Sequence, residues 1–178
     1  MIDSSEEYKI KNDTNETPKI GNYSKMCNND VIKINIFGKE KELTVFCTGN
    51  NQFDENGNYK DYDFELTNEE LDVLNWFINN IKIEDYKQQI VDYCNDVYRS
   101  WQYSDGTQEG PIGLDDVEAE INITCIAINV TDHWKANDGF VYPEISFYGE
   151  CRCDEEHGIC IGFRDKKFLG INSQDWTL

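Results

Sequence analysis

The chain has 178 residues, of which 39% are hydrophobic, and a net charge of −19. A chain of this length can bury about 70% of the surface that it exposes when unfolded, which is enough for one core. Its polar, mixed-charge start is unlike a secretory signal, and its longest apolar stretch, residues 121–130, is far shorter than the ~20 residues of a membrane helix. We therefore expect a cytoplasmic protein that neither enters nor crosses a membrane.

The acidic charge is concentrated in the middle of the chain. Residues 50–120 contain 18 acidic and four basic residues, a sum of −14. Such a surface repels phosphates and disfavours binding to nucleic acid, whereas it favours a basic protein partner. The alternative is that the acidic residues only keep the protein in solution.

The seven cysteines also bear on the compartment. They are an odd number, and most stand singly in apolar-patterned segments, where a free cysteine packs as a small hydrophobic residue. They are Cys27, Cys47, Cys94, Cys125, Cys151, Cys153 and Cys160. We interpret them as thiols of a reducing cytoplasm.

The chain begins with a polar segment and then turns to strand-like alternation. Residues 1–28 predict a loosely ordered arm, and residues 29–178 a single domain. Alternating apolar residues over 31–36 and 43–47, with a turn at Gly38-Lys39, predict a β-hairpin. The Asn56-Gly57 pair predicts a turn in the polar loop that follows, which could belong to a second hairpin ending at Leu66.

Two helices are predicted next. Thr67 and Glu70 form a capping box, which marks a helix start, and apolar residues recur at helical spacing as far as Ile81, with Asn79-Asn80 as the end. A second helix is predicted over 84–101, with Ile90 and Cys94 on its buried side.

The pattern of the remaining residues predicts mainly β-strands. Residues 114–120 predict one helical turn, residues 121–130 a bulged strand, and residues 140–148, 158–164 and 167–171 three further strands. This order predicts an α+β fold: an antiparallel sheet with two or three consecutive helices packed on one face and a C-terminal β-meander.

A group of sulfur and imidazole side chains near the C-terminus could bind a metal ion or take part in catalysis. It consists of Cys151, Cys153, His157 and Cys160, which are all potential zinc ligands. The spacing matches no common zinc framework, because Cys160 falls in the next strand, so we predict buried thiols and expect no metal and no cofactor. A hydrolase or metal-dependent enzyme that uses the cluster at 151–160 remains the alternative function, but no motif of nucleophilic catalysis accompanies it.

A second possible metal site lies in the polar loop. Asp54, Asn56, Asn58 and Glu65 fall at ligand positions of an EF-hand loop, but Tyr59 stands where that loop requires glycine. We therefore favour a surface turn over a calcium site.

The segment Asp154-Glu155-Glu156-His157-Gly158 carries a resemblance to a known family. It is preceded by an aromatic strand and followed by ICIGF, a turn and KKFLGIN, and it resembles the hallmark of a family of uncharacterised bacterial proteins. Members commonly have tryptophan where this chain has Cys153. The looser similarity spans residues 31–172, and members look like small acidic cytoplasmic proteins, often encoded near polymorphic toxins. The resemblance implies an immunity protein, as in a toxin–antitoxin pair.

The same segment has a structural interpretation that needs no family. Gly158 after four polar residues suits a tight turn with positive φ, and Asp154 can hydrogen-bond its own backbone there. The segment then forms the corner between two strands, and its carboxylates are available to a partner's arginine or lysine residues.

We therefore predict a non-enzymatic binding protein that neutralises a basic toxin by occlusion. Carboxylates would select the partner, and aromatic side chains would contribute most of the affinity. The candidate partner-binding residues are Asp154, Glu155, Glu156, Asp61, Asp63, Tyr62, Trp101 and Tyr103. A regulatory module that binds some other basic protein remains open.

Overall fold

The computed structural model describes residues 22–48, 55–58, 63–100, 110–130 and 141–177. One six-stranded sheet carries the fold, and its strands lie in chain order from β1 to β6. The strands are β1 Val31–Ile36, β2 Lys39–Cys47, β3 Ile121–Ile128, β4 Ile145–Cys151, β5 Ile159–Arg164 and β6 Lys167–Asn172; the helices are α1 Asn68–Asn80, α2 Lys87–Ser100 and α3 Val117–Glu120. Among the described residues, no helix is both long and apolar enough to cross a membrane.

Tight turns set the two outer strand pairs. Phe37 and Gly38 join β1 to β2 with φ angles of 51° and 74°, and Asp165 and Lys166 join β5 to β6 with 49° and 60°. Positive φ at both turn residues matches the right-handed twist of the strands that such a turn connects. Both hairpins were predicted and are confirmed.

The predicted antiparallel sheet and the predicted helix arrangement are both wrong. β2 and β3 run parallel, so the sheet is mixed, since every other neighbouring pair of strands is antiparallel. Parallel neighbours need a long crossover, and the helices lie in that crossover. They do not form a consecutive group packed on one face, since α1 lies mainly against β4, whereas α2 lies mainly against β6 and α3. The error has a physical reason: sequence periodicity identifies strands but not the direction of their pairing.

Several local predictions are confirmed. Thr67 and Glu70 form the capping box, and α1 ends at Asn80. β3 has an irregularity between Ile123 and Cys125, earlier than the change of alternation in the sequence suggested. The second helix starts later than predicted, at Lys87, because a 3-10 turn occupies Ile83–Tyr86.

The core is centred on aromatic contacts between α1 and the sheet. The ring of Phe77 lies 4.6 Å from that of Phe147 in β4 and 5.3 Å from that of Phe163 in β5. Tyr86, which precedes α2, stacks on Phe168 in β6 at 4.9 Å. These contacts fix α1 and the start of α2 over the second half of the sheet.

The final residues of the predicted N-terminal arm contact the domain where they are described. Met26 is buried, and its carbonyl accepts a hydrogen bond from the Leu66 backbone. Residues 1–21 lie outside the described residues, as does most of the predicted second hairpin.

Candidate binding groove and thiol cluster

An acidic groove lies between α1 and the turn that joins β5 to β6. Its volume is about 350 Å³, and its lining is Asp72, Val73, Trp76, Glu144, Asp165 and Lys166. The α1 residues stand at i, i+1 and i+4, so they share one side of the helix, next to the buried stripe that holds Leu74. We call this feature the Trp76 groove.

Three carboxylates and one ammonium surround the half-buried indole of Trp76. The Asp165 backbone N–H donates to Glu144 Oε2 at 3.0 Å, which fixes the Glu144 carboxylate at the start of β4. Among the described residues, no cation lies within ion-pair distance of Asp72, Glu144 or Asp165. The groove therefore presents net negative charge beside an aromatic ring, which is the environment that an arginine or lysine side chain prefers.

A thiol cluster lies at the other end of β4. The Sγ atom of Cys151 is 2.9 Å from that of Cys153 and 3.9 Å from that of Cys94 in α2. All three sulfur atoms lie within 4.8 Å of one another. Cys94 and Cys151 are buried, and Cys153 is half-buried.

The three thiols differ in their affinity for protons. Hydrogen bonds from Cys153 and Cys94, helped by the backbone N–H groups of Cys153 and Asp154, outweigh burial and lower the pKa of Cys151 to about 3. The same hydrogen bonds raise the pKa of Cys94, and the bond to Cys151 raises that of Cys153. Mutual hydrogen bonding among the three sulfurs therefore favours one thiolate within the cluster, with neighbouring thiols donating to it.

The corner between β4 and β5 is the one that the sequence predicted. Gly158 has a φ of 59°, and Asp154 Oδ1 accepts the His157 backbone N–H at 3.1 Å. Asp154 also lies 3.0 Å from His157 Nδ1, and this hydrogen bond raises the pKa of the imidazole. Asp154 is thus occupied in forming the corner.

Four of the eight predicted site residues lie in the described part of the chain, and Asp154, at the corner, is one of them. Glu155 and Glu156 are exposed at the corner, and Asp63 is exposed in the turn before α1. The length of β5, roughly 17 Å for six residues, separates the corner from the Trp76 groove. The remaining predicted positions, Asp61, Tyr62, Trp101 and Tyr103, lie outside the described residues.

The metal-binding group that the sequence suggested has a different membership in the structure. The Sγ atoms of Cys151 and Cys153 lie together, although Cys153 falls in the turn after β4, and the third sulfur comes from Cys94 and not from Cys160. Cys160 is buried in β5 opposite Tyr148. Only the burial of Cys94 on α2 was visible in the sequence; its position over the end of β4 was not.

The fold and the two sites define a class: an acidic protein with a mixed sheet, a crossover of helices, an open carboxylate groove and a buried group of thiols. A family model described as a domain of unknown function, DUF6985, matches residues 11–178. The chain therefore belongs to the DUF6985 family. No curated protein and no solved structure matches it.

Proposed function

We propose that this protein binds a basic protein partner through its acidic surface, in the manner of an immunity protein that occludes a toxin. The observation that carries the proposal is the Trp76 groove, whose lining combines an indole with three carboxylates that have no described ion-pair partner. We place the protein in the cytoplasm as part of the same proposal, because seven free thiols suit a reducing compartment.

The groove suits one cationic side chain of a partner. The guanidinium of an arginine can stack on the Trp76 ring while Asp72 and Glu144 accept its N–H groups. Glu144 is held by the Asp165 backbone, so one carboxylate is already oriented before the partner arrives. Such preorganisation lowers the entropy cost of binding.

The rest of the acidic surface supports the encounter and the choice of partner. Complementary charge speeds association and discriminates against acidic or neutral competitors. A basic toxin whose active cleft is rich in arginine and lysine residues would be covered by such a surface and so inhibited by occlusion.

The test begins with co-purification of the tagged full chain from extracts of its native cells at low and at high salt. We expect a basic protein that is retained at low salt and released at high salt. Its purified form should then bind the chain directly and lose its own activity on binding. Retention of no basic protein at low salt would contradict the proposal.

Two triple variants with the same change of charge then locate the interface. Asp72→Asn, Glu144→Gln and Asp165→Asn remove the groove carboxylates, and the amide oxygen introduced by Glu144→Gln can still accept the backbone N–H of residue 165. We expect this variant to bind roughly 3- to 150-fold more weakly, since each of three surface ion pairs contributes roughly 0.2–1 kcal/mol.

The control variant carries Asp63→Asn, Glu155→Gln and Glu156→Gln, the exposed carboxylates that the sequence suggested. It should retain most of the affinity. Equal losses in both variants would show that binding depends on total charge alone and would overturn the role of the groove.

A hydrolase built on residues 151–160 has less support. The imidazole of His157 is bonded to Asp154, and no described hydrogen bond joins it to a cysteine. The nearest described partners of the Cys151 sulfur are other sulfur atoms. A general base beside a nucleophile is therefore not formed by these described contacts.

A further inference from the structure

We propose that Cys94, Cys151 and Cys153 form a binding site for a thiophilic d10 metal ion, such as Zn²⁺ or Cu⁺. The site is separate from the Trp76 groove and does not depend on the proposed partner. Thiolate sulfur is the ligand that these ions prefer, and three sulfur atoms from two elements of the fold converge here.

The distance between the sulfurs of Cys94 and Cys151 already fits such an ion. Zinc binds thiolate sulfur at about 2.3 Å, so two sulfurs on one ion stand roughly 3.8–4.0 Å apart in tetrahedral or trigonal geometry. The distance from Cys94 Sγ to Cys151 Sγ is 3.9 Å. The pair Cys151 and Cys153 is closer, at 2.9 Å, so the half-buried Cys153 side chain needs to move outward by about 1 Å.

The scaffold holds the ligands from two directions. Cys151 is the last residue of β4 and pairs with Ile121 of β3, while Cys94 is fully buried on α2. The corner after Cys153 is closed by the hydrogen bond from the Gly158 backbone to the Asp154 carbonyl. The site is therefore built on packed elements, which is what precise metal coordination requires.

The donor set also selects among metal ions. Among the described residues, no carboxylate or imidazole joins the three sulfurs within 4.8 Å. Three thiolates alone satisfy a trigonal Cu⁺ ion, whereas Zn²⁺ needs a fourth ligand, which a water molecule could supply beside half-buried Cys153. Hard ions such as Mg²⁺ and Ca²⁺ prefer oxygen ligands and are disfavoured.

Binding exchanges protons for the metal without any redox step. Three sulfur–metal bonds form, and up to three thiol protons leave to the solvent. A Zn²⁺ site then carries a net charge of −1, and a Cu⁺ site a net charge of −2. The cysteines stay reduced throughout.

The first test is a Cd²⁺ titration of the reduced full chain, with Cd²⁺ as a spectroscopic substitute for Zn²⁺. We expect thiolate-to-cadmium charge-transfer absorption that saturates at one equivalent. Cys94→Ser should weaken binding by more than about 100-fold, since even residues behind a metal ligand contribute about 10- to 100-fold to affinity. Cys160→Ser is the matched control, because Cys160 is equally buried but outside the cluster.

A measurement on the wild-type chain covers the case in which a serine variant fails to fold. Prolonged alkylation followed by mass spectrometry should modify half-exposed Cys153 in the metal-free protein and spare it when Cd²⁺ is bound. Cys27, which is also half-buried but lies beside Glu65, should react equally in both states.

Parallel titrations with Zn²⁺ and Cu⁺, each against a competing chelator, distinguish the two ions. One-equivalent binding of either ion that depends on Cys94 supports the site. No charge-transfer band, equal binding by Cys94→Ser and wild type, or equal loss in Cys160→Ser would overturn it. A disulfide within the cluster of protein purified under reducing conditions would overturn it as well.

Discussion

The two ends of β4 carry two different arrangements of potential cation ligands. At its start, Glu144 joins α1 and the β5–β6 turn in an open groove of carboxylates around Trp76. At its end, Cys151 joins α2 in a cluster of sulfur atoms that is mostly buried. The first suits a hydrated, exchangeable cationic side chain, whereas the second suits a soft metal ion that loses its water.

The two sites differ because the carboxylates of the groove are mostly exposed, whereas the thiols of the cluster are mostly buried. An exposed carboxylate keeps its hydration and is screened by salt, so the groove can select a partner and also release it. A buried thiol is not hydrated and gains little from a distant charge, but it can form a coordinate bond. The groove and the thiol cluster should therefore respond differently to substitution, salt and pH.

Substitutions at two nearby positions of α1 should have different effects, one mainly on stability and the other mainly on partner binding. Leu74 is fully buried, so Leu74→Ala should lower the free energy of unfolding by about 2–5 kcal/mol. Trp76→Leu keeps an apolar contact but removes the indole, so it should cost less stability and weaken the binding of a basic partner. Urea unfolding and a binding titration on both variants measure this; equal losses of stability would show that Trp76 belongs to the core.

Substitution of Gly158 should destabilise the β4–β5 corner next to the thiol cluster and leave the Trp76 groove unchanged. A Cβ there would clash with the Gly149 carbonyl oxygen and the Gln174 side chain, and the residue has a φ of +59°. Gly158→Ala should therefore cost more than the ~1–2 kcal/mol of left-handed strain alone.

Gly57→Ala is the control for that strain. Gly57 has a φ of +80° but nothing within 4 Å of an added Cβ, so its variant should show the strain without the clash. Thermal unfolding of both variants gives the comparison. Equal destabilisation would mean that the β4–β5 corner adapts and does not constrain the thiol cluster.

A higher salt concentration should weaken partner binding at the Trp76 groove and leave metal binding at the thiol cluster unchanged. Raising the NaCl concentration shortens the Debye length from about 10 Å at 0.1 M to about 3 Å at 1 M, so binding at the groove should weaken severalfold. Metal bound by three thiolates should be retained, because coordinate bonds are not screened. Partner affinity and Cd²⁺ absorption measured across the same salt series provide the check, and loss of the Cd²⁺ band with salt would contradict the coordination model.

The smallest expected effect is the pH dependence of the corner. Asp154 raises the pKa of His157 by hydrogen bonding, so the pair stabilises the folded state fully below the imidazole's ordinary pKa and loses that contribution as pH rises through the folded value. Unfolding of the wild type and Asp154→Asn should differ more at pH 6 than at pH 8, since pH 6 lies below the imidazole's ordinary pKa of about 6.5. An NMR titration of His157 should show a lower pKa in the variant; an unchanged value would contradict the pairing.

Much of the local structure was predictable because local signals specify it. The capping box of Thr67 and Glu70 depends on residues three apart, and the corner at Gly158 depends on a residue that tolerates positive φ. The strands β1, β2, β5 and β6 follow from alternation and turn residues within each hairpin.

The direction of pairing between β2 and β3 was not predictable in the same way. Both strands are buried on one face in either orientation, and more than 70 residues separate them in the chain. The sequence therefore supported an antiparallel sheet as readily as the mixed sheet that forms. The crossover of helices, and with it the position of α2, depends on that choice.

The acidic charge, the capping box of α1, the two tight hairpins and the β4–β5 corner followed from local signals in the amino-acid sequence. Only the tertiary structure brought Cys94 to the sulfurs of Cys151 and Cys153 and brought Asp72, Glu144 and Asp165 around Trp76. The physical reason is that turns, caps and alternation depend on neighbours a few residues apart, whereas each site joins elements whose relative position is set by packing across the whole sheet.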